Sequence, residues 1–197
     1  MELMVDYITS LDGYGAADGW PGWWGLEGPE YLAWLEEDSS ADRTLLMGAK
    51  TYRLMHGFAS TQTEGVDALG AVRKVVFSNT LEEPLAWENS RLIRGDAVDA
   101  VRELKQTSTH PLSTIGSLTL SRSLLRAGLV DRFRVVVFPV ITGKTGQERV
   151  YDGYPDLALD LIEARTFDRG TQLLDYRPRV LDAPLPPGPG SALGGTA

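Results

Sequence analysis

The sequence predicts an α/β fold: one domain built on a mixed, mostly parallel sheet, flanked by helices and closed by a C-terminal antiparallel hairpin. Three observations predict it. Strand-like apolar runs alternate with helical stripes through most of the chain, as parallel sheets require. Several of those runs stop at a glycine or serine just where a helical stripe begins. The last two apolar runs are joined by Asp168-Arg169-Gly170, a hairpin signal.

Met1 to Ile8 is rich in Met, Val, Tyr and Ile and reads as the first strand. Residues 13–28 are rich in glycine and carry Trp20, Trp23 and Trp24. They read as an irregular loop with large aromatics, a composition suited to a ligand border. Pro29 to Glu37 reads as a helix, with Pro29 in its first turn and Tyr31, Leu32, Trp34 and Leu35 on its apolar face. Residues 43–47 form a second strand and Lys50 to Phe58 a helix, followed by a polar loop over 59–70.

Lys74 to Ser78 and Leu92-Ile93 are the next strands. Asp96 is placed to cap a helix running to Lys105. Pro111 to Ile115 is a strand ending at Gly116, and Ser117 is expected to cap the helix that follows. Gly128 suits the left-handed position after that helix. Arg132 to Val140 is a strongly apolar strand, able to pair across a two-fold axis in a homodimer. Leu157 to Phe167 and Thr171 to Arg177 make the hairpin. The domain is expected to span 1–180, and 181–197, mostly Pro, Gly, Ala and Ser from Ala183 onward, reads as a disordered tail.

Bulk properties narrow the function. The 197 residues carry a formal net charge of −8 and no Lys/Arg run, which disfavours a nucleic-acid partner. There is no cysteine, so disulfides and thiolate chemistry are excluded. His56 and His110 have no metal-ligand spacing, and no metal is expected. No apolar run reaches the roughly 18 residues of a membrane span, and no basic segment precedes the N-terminal apolar run. A cytoplasmic, membrane-free protein with a small-molecule ligand is expected.

The informative stretch is Leu45-Leu46-Met47-Gly48-Ala49-Lys50-Thr51-Tyr52. A strand ending at Gly48 delivers Lys50 and Thr51 to the first turn of a helix. The free N–H groups there, an ammonium and a hydroxyl make a site for phosphate. Ser78-Asn79-Thr80 and Gly116-Ser117-Leu118-Thr119 are two more junctions of this kind. In a parallel sheet they gather at the C-terminal edge, where α/β proteins bind ligands. Neither a G-x-G-x-x-G nor a Walker-type loop is present, so three junctions together point to a dinucleotide held in another way.

With these residues the chain resembles the dihydrofolate reductase-like superfamily, and within it the reductase domains of bacterial riboflavin-biosynthesis deaminase–reductases. The carriers are Ser10-Leu11-Asp12-Gly13, the octapeptide 45–52, Val76-Phe77-Ser78-Asn79-Thr80-Leu81, Ile115-Gly116-Ser117, Leu125 to Asp131 and Phe138-Pro139-Val140. The resemblance implies an NADPH-dependent reductase of a pyrimidine- or pteridine-like heterocycle, including reduction of 5-amino-6-(5-phosphoribosylamino)uracil. It implies that Gly48, Ala49, Lys50 and Thr51 hold the pyrophosphate or the 2′-phosphate. Ser78 and Asn79 would line the adenosine side, and Gly116, Ser117, Leu118 and Thr119 would wrap the pyrophosphate. Asp12, Trp20, Trp24 and Tyr31 would border nicotinamide and substrate. Where dihydrofolate reductases usually carry Arg after Met-Gly, this chain has Ala49, so Lys50 supplies the charge as a point ammonium. The family's helix-borne acid matches Tyr31, with Glu30 one residue away; Glu30 and Asp12 are the catalytic candidates, and Glu30 is expected to be enclosed beside Trp24. A non-catalytic nucleotide-binding or assembly protein on the same fold stays open.

Overall fold

The computed structural model describes residues 1–19, 24–61 and 67–185. The chain begins with β1 (Leu3–Ser10) and β2 (Tyr14–Ala17), then α1 (Pro29–Ser39), β3 (Thr44–Gly48) and α2 (Ala49–Thr61). Next come α3 (Asp67–Ala71), β4 (Arg73–Phe77), β5 (Ser90–Ile93), α4 (Ala97–Thr107), β6 (Leu112–Thr114) and α5 (Leu118–Arg126). The later strands are β7 (Arg132–Phe138), β8 (Gly146–Arg149), β9 (Leu157–Thr166) and β10 (Gln172–Val180).

Eight strands form one sheet in the order β5-β4-β3-β6-β1-β7-β10-β9. Neighbours from β5 to β7 are parallel, and the β9–β10 hairpin closes the sheet antiparallel. The expected α/β class and terminal hairpin are therefore present. Strand alternation sorts the two faces. Leu3, Val5, Tyr7, Leu46, Val75 and Leu112 meet Val101 of α4 and Leu120, Leu124 and Leu125 of α5 on one face. On the other face, Leu45, Met47 and Val76 meet Tyr52 of α2, while Val136, Phe138 and Leu173 meet Tyr31 of α1. Asp96 caps α4 as expected, accepting from Val98 and Asp99 N–H at 2.8 and 3.0 Å. Gly128 is left-handed at φ 63° after α5.

Some expectations are corrected. β7 is an interior strand, hydrogen-bonded to β1 on one side and β10 on the other, so it has no free edge for a two-fold partner. The supposed irregular stretch after Gly13 contains β2, which pairs with β8 as a separate two-stranded ribbon. Such short strands with partners some 130 positions apart leave little local signal. The loop expected over 59–70 includes the end of α2 and most of α3, and β10 continues to Val180. Trp20 and residues 186–197 of the expected tail lie outside the described residues. Among the described residues no helix is long and apolar enough to cross a membrane.

Two polar knots hold these pieces in place. Under α1, Arg134 of β7 donates to both carboxylate oxygens of Asp38 at 2.7 and 2.8 Å and to Asp6 of β1, while stacking over Trp34. Burial alone would raise the Asp38 pKa, but the bonds and charge of Arg134, then of Arg43, turn the net shift downward. At the mouth of the sheet, Asp12 accepts from Ser10 Oγ at 2.6 Å, from Thr142 N–H at 3.1 Å and from Gly143 N–H at 2.8 Å. It thereby staples the turn after β1 to the turn that leads into β8.

Arg134→Leu would leave two partly enclosed carboxylates without their cation. It should lower the unfolding free energy by about 2–3 kcal/mol, below the range for fully buried pairs because both acids keep some exposure. Urea titration followed by circular dichroism measures this, and an unchanged midpoint would show that the knot does not stabilise the fold.

The Asp12 staple has a pH signature. Donation from Ser10 Oγ, then from the Gly143 and Thr142 N–H groups, holds the Asp12 pKa at about 2, below its ordinary 3.8. Between those values the unfolded chain binds the proton more readily, so the staple's contribution is complete above about pH 4 and is lost as pH falls toward 2. Asp12→Asn should flatten that part of the acid-unfolding curve and speed amide exchange at Thr142 and Gly143. Acid unfolding identical to the parent's would contradict the staple.

Candidate functional site

Because β4, β3 and β6 are neighbours and parallel, the three junctions emerge side by side at one edge of the sheet. Two of them are stitched together. Gly116 and Ser117 are both left-handed, at φ 54° and 63°. That pair of conformations turns the chain so that Ser117 Oγ accepts from Gly48 N–H at 2.8 Å and donates to Thr51 Oγ1 at 2.8 Å. Ser117 was expected to cap α5; its hydroxyl makes no cap bond and spans to α2 instead. A Cβ at Gly116 would meet the Thr51 side chain at 3.4 Å, so a bulkier residue there would push the junctions apart and be strained at that φ.

The stitched junctions suit an anion. The first turns of α2 and α5 carry no acidic residue, although the protein is strongly acidic, whereas α1 and α4 carry Glu30 and Asp99 in theirs. The N-terminus of α5 has no side-chain cap, so its first N–H groups, from Leu118 and Thr119, remain unused by a cap. Leu118 itself packs into the core, and Thr119 is exposed. Ala49 is half-buried at the start of α2. Lys50 is 81% exposed and pairs with Glu148 of β8, which reaches over from the ribbon. An exposed pair of this kind contributes little, so its ammonium can be transferred to a phosphate at small cost. These groups fit a dinucleotide pyrophosphate or 2′-phosphate.

The third junction is spent on its own loop. Ser78 Oγ accepts from Thr80 and Leu81 N–H at 3.1 Å, and Asn79 Oδ1 accepts from Gly95 N–H at 2.8 Å. Thr80 and Asn79 are exposed at the edge next to β3.

The catalytic candidates do not converge. Asp12 is the staple described above, fixed as an anion. Glu30 is exposed, and its Oε2 accepts from Asp168 N–H at 2.9 Å, 138 positions away. The enclosed Glu30 beside Trp24 is therefore not what the structure has. Tyr31, expected at the substrate, is 1% exposed and packs edge-on to Phe138 and Phe167 at 5.4 and 5.7 Å between ring centres. It is core. Trp24 is half-buried against Phe138 at 5.7 Å, and its Nε1 has no hydrogen-bond partner among the described residues.

Sequence reasoning missed Asp6. On this face α1 covers β7 and β10, and α2 covers β3 and β4. Between them lies a trough above the C-terminal parts of β1 and β6, where Asp6, Ile8 and Ile115 are half-buried. Asp6 holds Arg134 while 27% of its side chain stays exposed. The signal was one acid inside an apolar strand, a position that usually demands a partner. Among the described residues no group of His, Asp and Glu could hold a metal.

The chain matches the RibD C-terminal domain over residues 2–173. It is 24% identical over 181 residues to the uncharacterized protein YyaP of Bacillus subtilis, covering 88% of this chain and 93% of that one. The fold is similar to that of a Shewanella sp. PV-4 protein described as a riboflavin biosynthesis protein, with a TM-score of 0.71 at 23% identity over 91% of this chain and 99% of that one. Dihydrofolate reductase from Enterococcus faecalis, complexed with NADP(H), superposes with a TM-score of 0.59 at 12% identity over 90% and 96% of the two chains. The domain match spans nearly all of the described body: this chain belongs to the RibD C-terminal domain family, a reductase family with a dihydrofolate reductase-like fold.

Proposed function

We propose that this chain is a cytoplasmic NADPH-dependent reductase of a pyrimidine- or pteridine-like heterocycle, with 5-amino-6-(5-phosphoribosylamino)uracil the first substrate to test. The observation that carries the reading is the stitched pair of junctions, Gly48–Thr51 with Gly116–Thr119, both free of acid and the second without a side-chain cap. Lys50, Thr51 and the first N–H groups of α2 and α5 would hold the phosphates, and Ser78 and Asn79 would border the adenosine. When bound, the nicotinamide supplies the hydride. The trough between α1 and α2 would take the flat substrate, with Trp24 at one wall. Asp6, ion-paired with Arg134, would accept hydrogen bonds from the ring's N–H edge.

One observation favours a second reading. Asp12, Glu30 and Tyr31 are each committed to structural contacts, and Asp6 is paired with a cation, so none of these four is set up as a proton donor. A protein that binds the dinucleotide without turnover fits that arrangement too. NADPH consumption in the presence of pyrimidine or pteridine substrates separates the readings.

Binding is tested by calorimetry. Lys50→Ala should weaken NADPH by about 1–2 kcal/mol, the scale of a charge-assisted phosphate contact. Gly116→Val should abolish binding while far-ultraviolet circular dichroism stays that of the parent. Parent-like affinity in both variants would sink the cofactor site. For an active protein, Asp6→Asn should raise KM for the heterocycle and leave the NADPH Kd unchanged; an unaltered KM would remove Asp6 from the substrate site.

A further inference from the structure

On the α5 side of β1 lies a group of buried polar atoms without partners. Tyr7 packs with the α5 side chains, and alternation puts Thr9 on the same face, away from the trough. Tyr7 is 6% exposed, and Thr9 and Ser121 of α5 are fully buried. The loop after β8 brings Tyr154 to this face, edge-on to Phe133 at 6.1 Å between ring centres. Tyr7 Oη, Thr9 Oγ1, Ser121 Oγ, Arg122 Nε and Tyr154 Oη are all buried with no hydrogen-bond partner among the described residues. An enclosed polar atom left bare is costly, so five together call for a missing partner.

These atoms are neighbours. Burial raises the Tyr7 pKa, and Ser121, Tyr154 and the charge of Arg122 act on it in the opposite direction. Burial raises the Tyr154 pKa as well, with Tyr7 beside it adding to the rise. The hydroxyls are close enough to act on one another, but no pair is aligned as a hydrogen bond. Both phenols stay protonated and keep an O–H to donate. The cation among them has no counter-charge. The other three arginines that are not exposed, Arg43, Arg132 and Arg134, each hold a carboxylate. Arg122 is in no ion pair among the described residues. Arg126, one turn on, donates to the Gly153 carbonyl at 2.7 Å, and Gly153 passes so near that a Cβ there would meet Arg122 Nε at 3.3 Å.

We propose that Arg122 Nε, Ser121 Oγ and the Tyr7 and Tyr154 hydroxyls bind a small anion, a halide or a carboxylate, between α5 and the loop after β8. A bare guanidinium repels a metal cation. Water can cap the hydroxyls but brings no charge to set against Arg122. An anion does both, because every bare atom here can donate to it. Tyr7 and Tyr154 belong to the packed core that includes Phe133 and Val150, 4% and 0% exposed, which restricts the ligand to a small one. The cluster lies across β1 from the trough, so it stands apart from whatever the trough binds.

Thermal unfolding of the full chain, dialysed free of halide, tests this while sodium bromide or sodium formate replaces sodium isethionate, whose anion is too large to enter, at constant ionic strength. One of the two salts should raise Tm saturably, by at least about 2 °C. Arg122→Gln should lose that rise and keep the parent's circular dichroism. The salt that saturates tells a halide site from a carboxylate site. Should Arg122→Gln fail to fold, soaked crystals of the parent decide: an anomalous bromide peak or formate density touching Arg122 Nε and the Tyr7 hydroxyl supports the proposal. No saturable rise in either salt, a rise that folded Arg122→Gln retains, or water alone at the cluster in both soaks would overturn it.

Discussion

The bond pair centred on Ser117 Oγ is the constraint on which the rest of the site depends. It joins Gly48 at the end of β3 to Thr51 in α2 through a residue 66 positions further along the chain. To make it, the chain adopts two consecutive left-handed residues, and only the first is a glycine. A left-handed serine costs on the order of 1 kcal/mol, about what one net hydrogen bond returns. The conformation is thus held by the site's own hydrogen bonds, and the two helix N-termini are fixed relative to each other. Two helix N-termini, each with the free N–H groups that favour an anion, are thereby set side by side.

Charge placement reinforces that geometry. The protein is acidic, yet its acids avoid the first turns of α2 and α5 and occupy those of α1 and α4, where they serve the helix dipole in the ordinary way. Lys50, in the first turn of α2, is balanced by Glu148 on a ribbon that Asp12 staples to the end of β1. The ribbon is thereby tied to the start of α2. Beneath, Arg134 gathers Asp6 and Asp38 and ties α1 to the sheet, setting the far wall of the trough.

What was legible in the sequence was local. A glycine between an apolar run and a helical stripe announces a junction within eight residues, so Gly48–Thr51 and Gly116–Thr119 could be read, and parallel topology brings them together. The roles of single polar residues were not legible, because their partners are remote. Asp12 answers to Thr142 and Gly143, and Glu30 to Asp168. Tyr31 has the helical spacing of an apolar stripe, and its burial against Phe138 and Phe167 follows that stripe rather than the position of a family acid. Asp6 carries no local signal of its role, because alternation along β1 says which face a residue takes but not which helix stands above it. The β2–β8 ribbon was invisible for the same reason: neither four-residue strand has a pattern of its own.

The fate of the acids bears on chemistry. A carboxylate held by several hydrogen-bond donors has its anionic form favoured and makes a poor proton donor. Asp12 is fixed in that way, and Asp6 is engaged in an ion pair with Arg134. If hydride transfer occurs in the trough, the protein's part is to orient the ring, through the Asp6 carboxyl group and an aromatic wall, while the proton arrives from water. That requires a trough open to solvent. Asp6, with 27% of its side chain exposed above the half-buried Ile8 and Ile115, leaves water a way in, where an enclosed general acid would have demanded a sealed trough.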